Sequence, residues 1–170
     1  EQADITGLIG QYAHGNEPSH HMAYLYNFVN KPYKTQEKTR QILTELYTNS
    51  PDGISGNEDC GQMSAWYIFS SLGFYPVTPG SNQYIIGSPL FDKATIHLED
   101  GNSFTVEAKN NSLENKYIKN VQLNNKAYPY SYLKHSDIVN GGNLVFEMTD
   151  RPTNWGTSDD FIPSTEIKDH

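Results

Sequence analysis

The stretch Ser55–Tyr67, SGNEDCGQMSAWY, carries a Gly-Asn-acid triplet that also occurs earlier, in HGNEPSHH at His14–His21. Each copy stands just ahead of a helical pattern, and the chain between them decides how the two relate. Pro18 suits the first turn of a helix, where its missing N–H would be unpaired anyway. Met22, Leu25, Tyr26 and Val29 follow at three- and four-residue spacing, which predicts one apolar helix face. Asn30 to Pro32 breaks that helix. A second is predicted from about Tyr33 to Tyr47, with Ile42, Leu43, Leu46 and Tyr47 as its stripe, and Asn49-Ser50-Pro51-Asp52-Gly53 stops it. A third is predicted from about Asp59 to Leu72, with Met63, Trp66, Tyr67 and Ser70 inward and Gly73 ending it.

One helix out and one helix back, each roughly 20 Å long at about 1.5 Å per residue, return the chain to the face where it began. Both triplets therefore fall on one face, each at a helix start. That face gathers the carboxylates of Glu17, Glu58 and Asp59, the amides of Asn16, Asn57 and Gln62, and the imidazoles of His14, His20 and His21. Hydroxyl-rich sugars need such an inventory, and a hard cation such as Ca²⁺ needs the oxygens. Paired carboxylates are also the working groups of glycoside hydrolysis. Helix capping competes directly: Asn or Asp before a helix caps it, and acids in the first turn suit its dipole. Zinc fits less well, because Pro18 interrupts any helix through His14 and His21 and oxygens outnumber imidazoles. Cys60 reads as a small buried residue at a helix start, and Trp66 and Tyr67 as helix-face core.

After Gly73 the apolar period changes to two. Gln83–Ile86, Ala94–Leu98, Ser103–Ala108, Tyr117–Leu123 and Asn143–Met148 are predicted strands, with Asp100-Gly101 and Asn124-Asn125 at hairpin turns. The predicted class is α+β: three helices, then a segregated antiparallel sheet of about five or more strands.

Composition narrows the function classes. Twelve basic and 20 acidic side chains give a net charge of −8, and no Lys/Arg cluster interleaves with the aromatics, so nucleic acid has no electrostatic footprint. No apolar run approaches a membrane span. The single cysteine permits neither an intrachain disulfide nor a cysteine-based zinc site. Phe, Trp and Tyr make 12% of the chain, which suits a sugar cleft and a β-rich core alike.

HGNEPSHHMAYLYN, KPYKTQEKTRQIL, DGISGNEDCGQMSAWYIFSSLGFYPVTPG and YIIGSPLF together resemble the C-terminal end of the catalytic domain of glycoside hydrolase family 92, the calcium-dependent exo-acting α-mannosidases. The resemblance runs to about Trp155. It implies that residues 1–80 are the last helices of an (α/α)6 barrel and that residues 81–170 are antiparallel, sandwich-like strands packing on it. It implies an inverting mechanism, with Asp59 as general base and Asn57 and Glu58 beside it in the same loop. Asn57 stands where some relatives carry an aspartate. Asn16, Glu17 and His14 are the implied mannose contacts, and Asn16 and Glu17 the implied neighbours of Ca²⁺. The family's general acid lies in a motif that these residues do not contain, so the chain by itself is expected to be inactive. The implied partners are a mannose-containing glycan and the remainder of a parent chain, in a bacterial periplasmic or secreted setting.

Overall fold

The computed structural model describes residues 5–165. A short hairpin, β1 (Leu8–Ile9) with β2 (Tyr12–Ala13), leads into two 3₁₀ segments, Glu17–Ser19 and Met22–Val29. Helices α1 (Pro32–Glu45) and α2 (Gln62–Leu72) follow. Strands β3 (Phe74–Tyr75), β4 (Gln83–Ile86), β5 (Lys93–His97), β6 (Ser103–Lys109), β7 (Tyr117–Leu123), β8 (Lys126–Ala127) and β9 (Tyr132–Lys134) come next. The single-turn helix α3 (His135–Val139) and strand β10 (Gly142–Thr149) complete the elements used below. The fold is mixed α and β. Of the region read as 81–170, residues 166–170 lie outside the described part.

The larger sheet has the order β5-β6-β10-β7-β8, and the smaller the order β3-β4-β9. The sequence predicts an antiparallel sheet, but the larger sheet is mixed. β10 arrives last and slots between β6 and β7, antiparallel to β7 but parallel to β6. Its alternation explains the central place: Leu144, Phe146 and Met148 all point into the core. At the β7–β8 turn, Asn124 and Asn125 both adopt positive φ, the conformation a two-residue hairpin requires.

The smaller sheet is covered on both faces. Phe74, Ile86 and Leu133 join the larger sheet's Phe104, Val106, Ile118, Val121, Leu144 and Phe146 in one core. The alternate residues Tyr75 and Ile85 turn the other way, into a second core with Tyr24, Ile42, Leu43 and Trp66. Three layers result, with the helices outermost on one side.

The first predicted helix is the part that differs most. Met22–Val29 is 3₁₀, whose three residues per turn align Tyr24 with Asn27 as the buried pair. Of the predicted apolar face, Met22, Leu25 and Val29 are instead exposed and Tyr26 is half-buried. Ahead of its predicted apolar stripe, α1 also buries the polar residues Thr35, Gln36, Thr39 and Arg40. Gln36 and Arg40 act as stitches to the strand half, while the Thr39 hydroxyl bonds back to its own helix. Gln36 Oε1 accepts from the Ile118 N–H at 3.0 Å. Arg40 donates to the carbonyls of Ser112 and Pro89 and to Asn111 Oδ1. Burial lowers the Arg40 pKa to about 10, which still leaves it charged at neutral pH.

Asn27 is the stitch between the 3₁₀ segment and the smaller sheet. Its Nδ2 donates to the carbonyls of Ile86 at 2.9 Å and Ser131 at 2.8 Å. Replacing it with Leu keeps the volume but strands the buried Ile86 carbonyl. It also takes one of its two donors from the Ser131 carbonyl, which keeps the Ile86 N–H, and the cost is about 2 kcal/mol. Asn27→Leu should therefore lower the melting temperature by roughly 4–8 °C in a thermal unfolding scan. An unchanged melting temperature would show that water replaces the amide.

Candidate functional site

The two triplets meet glycine to glycine. A β-carbon at Gly56 would stand 2.7 Å from the Cα of Gly15 and 2.8 Å from its carbonyl oxygen. One at Gly15 would stand 2.9 Å from the Ser55 carbonyl oxygen. Gly56 also has φ of +96°, a conformation that side chains rarely take. Only residues without a side chain allow this approach of two backbones. On either side of the contact a cleft of about 310 Å³ is lined by Thr6, Gly15, Asn16, Glu17, Gly56, Asn57 and Asp59. The fold thus brings together Asn16 and Glu17 from one triplet with Asn57 and Asp59 from the other.

Asp59 reaches the cleft because the third helix starts later than the sequence predicts. Asp59, Cys60 and Gly61 have φ of 39°, 59° and 86°, three consecutive left-handed residues ahead of Gln62. Such a conformation costs about 1 kcal/mol or more for each non-glycine residue and collects at functional sites. Cys60 is consequently exposed on this turn rather than buried in a helix. Glu58 points elsewhere, its two oxygens accepting from the N–H of Ser64 at 2.9 Å and from Ser64 Oγ at 2.7 Å. Those bonds hold its carboxyl below the usual range, and they make Glu58 a helix-start cap in this structure. Asn16 behaves oppositely: it sits at the start of a 3₁₀ turn and forms no side-chain cap bond.

His14 lies beneath the site rather than in it. It is fully buried, its ring 4.4 Å from Trp66 and 4.8 Å from His20 between centroids. Tyr47 donates its proton to the Met63 carbonyl at 3.2 Å, so it accepts from His14 Nε2–H at 2.6 Å. That leaves His14 Nδ1 to accept from the Tyr12 hydroxyl at 2.8 Å. With both nitrogens engaged and no exposed surface, His14 supports the loop from beneath, whereas the expectation from sequence puts it in contact with mannose. Burial, aided by the neighbouring His20, lowers its pKa to about 3. His20 is buried as well. Its Nε2–H donates to the His14 carbonyl at 2.9 Å, and its Nδ1 accepts from the Gln62 side chain at 3.0 Å. Tyr12, Tyr47 and Tyr75 complete this floor; helical spacing marks Tyr47 as inward, and nothing in the spacing marks Tyr12 or Tyr75.

The carboxyls of Glu17 and Asp59 interact directly. The Glu17 pKa is lowered, first by hydrogen bonding to its own backbone N–H and then by the Asp59 carboxyl. Its Oε1 is sealed from solvent and receives no hydrogen bond. Two carboxyls in contact need a positive charge or a shared proton between them. Among the described residues no three His, Cys, Asp or Glu side chains converge as a metal cluster. The cleft's donors are instead two carboxylates and two amides, an all-oxygen set that suits a hard cation.

Comparison with known proteins places these features. The sequence profile of the glycosyl hydrolase family 92 catalytic domain matches residues 1–150. An uncharacterized secreted glycosidase of Arthroderma benhamiae is 31% identical over 152 residues, covering 88% of this chain and 20% of its own. Among solved structures, a family GH92 α-mannosidase from Bacteroides thetaiotaomicron, in complex with mannoimidazole, superimposes with a TM-score of 0.92. It is 48% identical over 95% of this chain and 21% of that one. A family GH92 inverting mannosidase from the same organism gives a TM-score of 0.85 at 44% identity, over 91% of this chain and 21% of its own. The chain spans about a fifth of the length of these relatives.

Two outcomes follow from this geometry. Gly56→Ala combines a backbone collision with an unfavourable φ and should cost about 1–3 kcal/mol, read as a lower melting temperature. A melting temperature at the wild-type value would mean the two loops can part freely. His14 sets an acid limit. Its stabilisation is fully present above the ordinary histidine value of 6.5 and is lost as pH falls from there towards 3, because only the unfolded chain takes up the proton. Stability measured by denaturant titration between pH 7 and 4 should fall less steeply in His14→Gln than in wild type. Parallel profiles would refute that assignment.

Proposed function

The chain belongs to glycosyl hydrolase family 92, and from that premise we propose that it is the C-terminal part of an inverting, exo-acting α-mannosidase. The substrate is a terminal, α-1,2-linked mannose on a glycan. The observation that carries this reading is the Gly15–Gly56 contact, which sets Glu17 and Asp59 in one cleft with Asn16 and Asn57.

Asp59 is the general base. Its carboxylate takes a proton from a water molecule as the water oxygen bonds to the anomeric carbon. The bond from that carbon to the glycosidic oxygen breaks, and an acid outside these 170 residues protonates the departing oxygen. Inverting enzymes keep the two carboxyl groups about 6.5–9.5 Å apart to leave room for the water. Asn57 shares the loop with the base and orients water or a sugar hydroxyl. Glu58 fixes the loop through Ser64. Asn16 and Glu17 meet the mannose. Glu17 and Asn16 also hold Ca²⁺, in accord with the sealed Oε1 of Glu17 and the oxygen-only donors of the cleft. When bound there, calcium supplies a fixed positive charge for the sugar hydroxyls and for the two acids. Residues 1–80 are the closing helices of an (α/α)6 barrel, and residues 81–170 the strands packed against them. The exposed Met22, Leu25, Val29 and Ile68 fit faces that the rest of the parent chain covers. A bacterial periplasmic or secreted setting is part of the same reading, and the secreted glycosidase among the relatives supports it. The described helices include none long and apolar enough to cross a membrane.

The test is mannose release from an α-1,2-linked mannobiose by the longer protein that carries this chain, with calcium added. Asp59→Asn should reduce kcat by at least a thousandfold while the melting temperature holds. Residues 1–170 by themselves should release no mannose. Undiminished turnover in Asp59→Asn would place the base elsewhere and leave the cleft a sugar-binding or structural feature. A chelator should lower turnover and calcium should restore it, and an activity indifferent to both would remove the metal from the reading.

A further inference from the structure

Resting on that assignment of Glu17 and Asp59, we infer that Gln62 is the positioning residue that holds the two acids in register. One residue grips both loops by different groups. Its backbone N–H donates to the carbonyls of Glu58 at 3.0 Å and Asp59 at 3.2 Å, closing the left-handed turn that carries the base. Its side-chain Nε2 donates to His20 Nδ1 at 3.0 Å and to the Tyr75 hydroxyl at 3.0 Å. His20 in turn closes the other acid's turn: its backbone N–H donates to the Glu17 carbonyl at 3.0 Å. The His20 ring donates to the His14 carbonyl at 2.9 Å, and Trp66 Nε1 donates to the His20 carbonyl at 3.0 Å.

The chain of contacts is short and rigid. His20 is 2% exposed and Trp66 fully buried, so neither ring has room to swing. Glu17 therefore moves with His20, His20 with the Gln62 amide, and the Gln62 backbone with Asp59. The glycine contact brings the loops together but fixes no rotation about itself, having no side chain on either partner. The amide–imidazole bond supplies that missing constraint. An amide is also the right group for the position, because it donates to a neutral ring without placing a charge under two carboxyls. A site held about 1 Å out of register loses on the order of a hundredfold in rate.

The experiment compares wild type, Asp59→Asn and Gln62→Met in the longer protein, measuring kcat and KM for an α-1,2-linked mannobiose alongside melting temperature. Methionine keeps the length and the helix preference but donates nothing. Gln62→Met should lower kcat ten- to a hundredfold with KM within about threefold of wild type, and the drop in melting temperature from its two lost part-buried hydrogen bonds should leave it folded at the assay temperature. Should this variant fail to fold, His20→Gln cuts the same bond from its other end and carries the same expectation. Wild-type kcat in the folded variant overturns the inference, as does a loss of activity that merely follows the folded fraction. A fully active Asp59→Asn, by contrast, overturns the reading of the site itself, whatever Gln62→Met does.

Discussion

The close approach of Gly15 and Gly56 is the constraint on which the site depends. Two loops from distant parts of the chain can place four polar side chains around one cleft only if their backbones nearly touch. Any β-carbon at the contact would push the loops apart, and the acids with them. The repeated triplet is thus two halves of one joint: the glycines make the contact, and the residues after them face the cleft. The left-handed turn at Asp59–Gly61 belongs to the same solution, since a helix begun at Asp59 would turn that carboxylate with the helix barrel instead of towards Glu17.

Beneath the joint, the floor is aromatic and polar at once. His14 meets Trp66 edge-on and His20 lies tilted beside both, while tyrosine hydroxyls, the Gln62 amide and the His14 carbonyl account for the ring nitrogens. A floor of aliphatic residues would exclude water equally well but would allow the loops to slide. Hydrogen bonds of fixed direction remove that freedom, at the cost of sensitivity to protonation, as the depressed His14 pKa shows. The smaller sheet backs this floor. Tyr75 and Ile85 face it, while Phe74 and Ile86 face the other core, so the helical and strand halves share one wall.

The residues themselves reveal much of this and hide the rest for physical reasons. The strands Gln83–Ile86 and Tyr117–Leu123 match their predicted bounds, because alternation and flanking turns mark them. The inward Met63, Trp66 and Ser70 of α2 and its stop at Gly73 were equally legible. Met22–Val29 was read on the wrong face, since apolar spacing of three and four fits an α-helix, while tertiary packing selected a period of three around Tyr24 and Asn27. Long-range partners left no local mark. Nothing near β10 shows that it pairs parallel with β6, and nothing near Tyr12 or Tyr75 shows that they support a histidine or a glutamine. The proximity of the two triplets follows from an out-and-back path, although its outgoing leg is an eight-residue 3₁₀ segment and not an α-helix. The division of labour between Glu58 and Asp59, by contrast, depends on the left-handed turn at Asp59–Gly61 and leaves no sequence mark.

The position of β10 carries a consequence for the order of assembly. As the chain emerges from the ribosome, β5, β6, β7 and β8 are all complete before their shared centre exists. The two hairpins, β5–β6 and β7–β8, can close locally, but each keeps an open edge where β10 will lie. Joining them waits for a strand whose pairing with β6 spans many residues, a slow kind of contact to form. During that interval two unpaired strand edges face the cell, and unpaired edges are templates for association. The newborn chain is therefore most exposed to misassembly just before residue 149 appears, after its site residues have long since been made.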